Sequence, residues 1–199
     1  MTDITIMEKP EWITFQQIHD LIYMAHEINR KQKGFDVGTA HLSPEELEKK
    51  IGVSGKCFIA LDGSKLVGTT SYRIVNRNYW CAKGEVVDRI LAAVHPDYKG
   101  KHISTMLFNK IVESAQNKGF KYIESVTAEK NDIVQIINKK DGYRYIDFRA
   151  PRTDHYNVVM LQWLEGCPYS KFQTDLHFKI KRLLIKLRYK PGRIKRFGL

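Results

Sequence analysis

Cysteine is scarce in this chain. Its 199 residues hold three, Cys57, Cys81 and Cys167, far apart and odd in number. Neither a disulfide framework nor a CxxC metal site is therefore expected, and a reducing cytoplasm is the expected setting. No apolar run approaches the roughly 18 to 20 residues that span a bilayer. The opening MTDITIMEKPEW lacks the basic-then-apolar order of a secretory leader. Internal repeats and low-complexity tracts are missing. No His/Cys/carboxylate cluster has metal-ligand spacing, so no metal is expected. The absence of a Gly-x-Ser-x-Gly or Cys/His arrangement argues against a covalent intermediate.

What is present is the composition of a folded protein, 43% apolar and 11% aromatic, with length for one domain and a real core. The net charge of +11 is uneven. Lys171–Leu199 carries ten Lys/Arg and one acid, Asp175, a balance of +9 that leaves +2 for residues 1–170. An anionic partner is implied mainly where that tail can reach.

Periodicity orders the chain. Ile4 and Ile6 open a short strand. Thr14 and Gln17 form a capping box with Ile13 and Ile18 at the staple positions, so a helix begins there with Ile18, Leu21, Ile22, Ala25 and Ile28 on its apolar face. Ser43-Pro44-Glu45-Glu46 opens a second helix, to about Ile51. Strands at 57–61 and 66–75 flank the hairpin signal Asp62-Gly63. Residues 86–94 are apolar enough for a strand covered on both faces. A helix over 102–118 closes at Gly119, followed by a strand at 122–128, a helix at 132–140 and strands at 144–148 and 157–163. The expected fold class is α/β (α+β), a mixed sheet with helices on its faces. The core domain is placed at 1–165 and a basic amphipathic extension at 166–199.

The segment Ala93-Val94-His95-Pro96-Asp97-Tyr98-Lys99-Gly100-Lys101-His102-Ile103-Ser104 carries the chemistry. A strand ends at Val94, Pro96 stops it, and a basic loop runs into a helix N-terminus. Such a terminus presents unpaired N–H groups and the positive dipole end, which suit a phosphate; Lys99 and Lys101 add cations. The plain alternative is an ordinary strand-to-helix loop with solvated lysines.

This segment resembles the acyl-CoA-binding motif of the GNAT superfamily of N-acetyltransferases, a Val-x-Pro-x-aromatic strand end running into Arg/Gln-x-x-Gly-x-Gly/Ala. Val94, Pro96, Tyr98 and Gly100 fit. Lys99 takes the Arg/Gln position, while His102 and Ser104 replace the two motif glycines, so side chains crowd the loop. Asn131 followed by Gly142-Tyr143 resembles the family's Asn…Gly-Phe pattern. The family often places a thiolate-protonating tyrosine seven residues after that asparagine, and this chain has Asn138. The resemblance covers roughly 1–165. It implies acetyl-CoA or another short acyl-CoA as co-substrate, held by Ala92, Ala93, Val94, Lys99, Gly100, Lys101, His102, Ile103, Ser104, Asn131 and Asn138.

The resemblance further implies direct attack of a primary amine on the thioester, with a strand N–H holding the oxyanion. The base would be a carboxylate on the same strand: Asp88, which shares parity with Ile90, Ala92 and Val94, or Glu85 if a bulge switches faces. The structural alternative pairs Asp88 with Arg89 or Lys83. The acceptor implied is a small amine; family members that acylate nucleotide-linked amino sugars suggest that substrate, with which the basic balance is consistent, while a protein or a polyamine, the latter disfavoured by its own positive charge, stays open. The rival is a catalytically weak binding module anchored by its tail. In that tail Leu176, Ile180, Leu183, Leu184 and Leu187 make one helical stripe among cations, ended by Pro191-Gly192. The stripe could pack on the body or a second subunit, lie on an anionic membrane as a peripheral contact, or gather an anionic substrate. Nucleic acid is disfavoured, because the tail has few aromatics for stacking.

Overall fold

The computed structural model describes residues 3–33, 41–150 and 156–189. Its elements are β1 (Ile4–Glu8), α1 (Phe15–Lys33), α2 (Pro44–Ile51), β2 (Lys56–Asp62), β3 (Lys65–Asn78), β4 (Lys83–Val94), α3 (Ile103–Asn117), β5 (Tyr122–Ala128), α4 (Asp132–Lys140), β6 (Arg144–Arg149), β7 (Asn157–Trp163) and α5 (Lys171–Arg188). The strands form a seven-stranded sheet in the order β1-β2-β3-β4-β5-β7-β6, the mixed α/β architecture expected. Among the described residues, no helix is long and apolar enough to cross a membrane. The Pro191-Gly192 stop and the last basic residues lie outside the described residues.

Helix starts follow the caps. The Thr14 N–H donates to Gln17 Oε1 at 2.8 Å and the Gln17 N–H to Thr14 Oγ1 at 3.2 Å. The flanking Ile13 and Ile18 are buried, as a staple requires. Ser43 and Glu46 make the same reciprocal bonds at the start of α2.

Contacts group the chain into two compact units. In the first (1–75 and 87–119), β1, β2 and β3 pair antiparallel, with Ile6 opposite Ala60 and Phe58 opposite Thr70. Ile18, Leu21 and Ile22 of α1 and Leu47 and Ile51 of α2 pack on Ile59 and Leu61 of β2 and on Leu91 and Ala93 of β4. Gly68 lets α3 approach the sheet closely: a Cβ there would lie 2.8 Å from Ile103 Cγ2 and 3.0 Å from Leu107 Cδ1.

In the second unit (76–86 and 120–199), β7 runs between β5 and β6, antiparallel to both. Helix α5 packs on β6, but not through its leucine stripe. Phe178 stacks on Tyr145 at 4.5 Å, and Ile185 packs against the Phe148, Tyr156 and Val158 cluster. Lys181 pairs with Asp147, while Arg182 and Lys186 meet Glu129 Oε1 at 2.6 and 2.7 Å. The stripe residues Leu176, Ile180, Leu183, Leu184 and Leu187 are 44–70% exposed. Of the fates open to the stripe, packing on the body is the one not seen: aromatic stacking and ion pairs hold the opposite face instead.

Candidate functional site

Strand β4 runs unbroken from Lys83 to Val94 but contains one left-handed non-glycine residue. Leu91 takes φ 54°, a left-handed backbone uncommon for a buried leucine. Asp88 sits in the field of Lys50 on α2, and Leu91 and Ala93 pack in the α1/α2 core. Arg89 lies over the Phe108 ring of α3 at 5.2 Å, on the opposite face. Leu91 and Ala93 are buried in that core, whereas Ala92 is exposed. The parity that linked Asp88 to Ala92 and Val94 is interrupted by the left-handed residue at Leu91 between them.

Asp88 is buried, and its Oδ2 accepts Arg73 Nε and Nη2, each at 2.8 Å. Arg73 of β3 is thus a partner of Asp88. Burial lowers the pKa of the half-buried Lys50 amine, Arg73 lowers it further, and Asp88 partly offsets both. Glu85, in the other unit, is exposed.

Beyond Val94 the chain is pinned and then turned. The His95 N–H bonds Val67 O at 2.8 Å, and His95 Nδ1 accepts the Asp97 N–H at 3.3 Å, starting a 3-10 turn over Pro96–Tyr98. Tyr98 donates to Asp62 Oδ2 at 2.6 Å, which raises the phenol pKa, and Lys101 Nζ sits 4.4 Å from its ring centroid. Gly100 (φ 82°) and His102 (φ 58°, ψ 15°) are both left-handed, so the chain swings into α3 with Ile103 buried below. His102 caps α3 without a side-chain hydrogen bond, and Lys99, Gly100 and Lys101 are exposed; Ser104 is half-buried. The result is an uncapped helix N-terminus flanked by two lysines, a geometry that accepts a phosphate.

The second unit holds the other expected residues. Asn131 is buried at the N-cap of α4, also without a side-chain cap bond. Asn138 has no exposed surface; its Nδ2 donates to Ser125 Oγ at 2.9 Å, and its backbone carbonyl accepts the Tyr143 N–H at 2.9 Å. Those bonds tie α4 to β5 and to the Gly142-Tyr143 turn. Nearby in the same unit, the fully buried Glu124 of β5 receives Arg77 Nε at 2.9 Å and the Tyr79 hydroxyl, which in turn accepts Arg149. Burial and then the Glu124 charge raise the Tyr79 pKa, so this phenol keeps its proton. Sequence reasoning missed this cluster and the Arg73–Asp88 pair. The only available signal was an acid in the apolar strand YIESVTA, since partners on other strands follow from register. Among the described residues, no group of His, Cys, Asp or Glu could hold a metal.

Comparison with known proteins gives one answer on fold. The family model described as Acetyltransferase (GNAT) family matches residues 15–136, more than half the chain. No curated protein sequence matches significantly. Solved structures do. An acetyltransferase of the GNAT family from Staphylococcus aureus Mu50 superposes with TM-score 0.62 at 18% identity, over 81% of this chain and 99% of that one. The ribosomal-protein-S18-alanine N-acetyltransferase from Escherichia coli gives 0.63 at 14% identity, over 81% and 94%. Arabidopsis thaliana NAA60, solved in complex with acetyl-CoA, gives 0.60 at 13% identity, over 82% and 100%.

Proposed function

Because the chain belongs to the GNAT acetyltransferase family, we propose that it is an acyl-CoA-dependent N-acyltransferase acting on a primary amine. The observation that carries the reading is the α3 N-terminus: two left-handed residues, no side-chain cap, and Lys99 and Lys101 beside it. An acyl-CoA has a pyrophosphate that fits these donors, and when bound it supplies an activated thioester carbonyl.

The remaining work falls to this chain. The α3 first-turn N–H groups and the lysines neutralise the phosphates. A backbone N–H of β4 near Leu91–Val94 steadies the carbonyl oxygen as charge develops there. A base removes the ammonium proton before attack, and Asp88 and Glu85 are the proposed carboxylates. Arg73 already engages one Asp88 oxygen, so this carboxylate would act through a water or serve to fix the strand. The leaving thiolate needs little acid help, since thiols of this kind have a pKa of about 8.5 by analogy with cysteine. That is compatible with an amide, Asn138, at the family's tyrosine position. Asn131 and Asn138 are carried over as cofactor residues from the resemblance alone. A nucleotide-linked amino sugar is the proposed acceptor, carried over from the resemblance alone. Nothing in the comparisons favours the non-catalytic binding module.

Calorimetric titration with CoA and acetyl-CoA tests the site. Saturable binding is expected, weakened about tenfold or more in Lys99→Ala/Lys101→Ala. Transfer assays over amino sugars, their nucleotide conjugates, polyamines and peptide N-termini then identify the acceptor. Absence of binding to either ligand would overturn the reading.

A further inference from the structure

Helix α5 has two faces with different fates. At about 100° per residue, Thr174, Phe178, Lys181 and Ile185 lie on the side held against β6. Opposite them, Phe172, Leu176, Ile180, Leu183, Leu184 and Leu187 fill an arc of about 120°, and all are substantially exposed. A soluble helix normally buries its apolar stripe; this one is anchored so that the stripe points outward.

The cations flank that stripe. Lys181, Arg182 and Lys186 are spent on Asp147 and Glu129. Among the described residues, no carboxylate pairs with Lys171, Lys179 or Arg188. Along one flank, Lys139, Arg144, Lys171, Lys179 and Arg182 line a recess of about 580 Å³ that contains a single acid, Asp175. Two of these are set in place: Arg144 donates to Tyr169 O, and Lys139 sits over the Tyr145 ring at 4.6 Å. The sequence after Arg188 adds Lys190, Arg193, Lys195 and Arg196 and no acid.

We infer that this face docks on an anionic lipid surface, with the leucines in the acyl boundary and headgroup phosphates along the basic flank and its recess. Charge decides the occupant. A second copy using the same face would bring two strongly basic helices together, with only Asp175 as an acid on either. A polyanion such as nucleic acid would reward the lysines but leave the leucines in water. Only an anionic bilayer satisfies both. The inference is independent of acyl transfer.

Flotation of the full chain with phosphatidylcholine vesicles, with and without phosphatidylglycerol, is the test. Binding should require the anionic lipid and weaken with added salt. Leu183→Ser/Leu184→Ser/Leu187→Ser removes only exposed side chains and should lower binding by about tenfold or more, with circular dichroism and melting unchanged. Lys171→Glu/Lys179→Glu should cost about fivefold or more per site. Failure to bind, or equal binding to neutral vesicles, overturns the inference. So does a wild-type dimer in light scattering that the triple serine variant abolishes, or oligonucleotide binding that outcompetes the vesicles.

Discussion

Replacing His102 by glycine should stabilise the protein, although it deletes a side chain. His102 holds φ 58° and ψ 15°, is exposed, and makes no side-chain cap bond to α3. Left-handed backbone costs a residue with a Cβ about 1 to 2 kcal/mol. Glycine removes that strain but frees the unfolded chain, returning about 0.4 to 1 kcal/mol. The net is a gain of about 0.5 to 1 kcal/mol, a rise in melting midpoint of roughly 1 to 4 °C for a chain of this size. His102→Ala is the control, since it loses the imidazole and keeps the strain. Scanning calorimetry of both variants should place glycine above wild type and alanine at or below it. A glycine variant melting no higher than the alanine variant would refute the account of the loop. Titration with CoA adds a second readout, because the freed backbone should approach a pyrophosphate more closely and bind it more tightly.

Other substitutions probe the same frame. Asp88→Asn strips the charge from a buried pair whose arginine is 37% exposed, and should cost about 1–3 kcal/mol in denaturant unfolding. If the acidic limb of its kcat/KM profile stays in place, Asp88 is a strand-fixing residue and not the base. Gly68→Ala pushes a methyl against Ile103 and Leu107 and should lose about 1–3 kcal/mol while loosening CoA binding, measured by melting and titration. Cys81, its thiol pushed up to about 12 by burial, should resist iodoacetamide at pH 8, whereas the half-buried Cys167 reacts first in mass spectrometry. Modification of Cys81 ahead of Cys167 would contradict the burial.

Local chemistry made much of this fold legible. The Ser43 and Thr14 boxes fix two helix starts, and β5, α4 and β7 fall where the apolar periodicity placed them. The β3–β4 hairpin ran longer than expected on both sides, because its turn, Tyr79 to Ala82, contains none of the Gly, Pro or Asn residues that mark one. The strand-to-helix turn before α3 was readable because its determinants, Pro96 and Gly100, are contiguous with it. The Arg73–Asp88 pair was not, since fifteen residues separate two positions that only strand pairing brings together. The left-handed backbone at Leu91 was equally silent, as nothing about a leucine announces positive φ. The orientation of α5 went the other way from its amphipathic pattern, because ion pairs to Glu129 and Asp147 and the stacking of Phe178 outweigh the stripe.

The hydrogen bond from Tyr98 to Asp62 ties two stretches of chain that would otherwise vary independently. A hairpin turn is ordinarily free to drift among aspartate, asparagine and glycine, since any of them satisfies its backbone. Here the aspartate also clamps the loop that carries Lys99 and Lys101. Substitutions acceptable to the turn would therefore be filtered by the loop, and a library randomised at position 62 alone should retain far less diversity than one in which position 98 is varied with it.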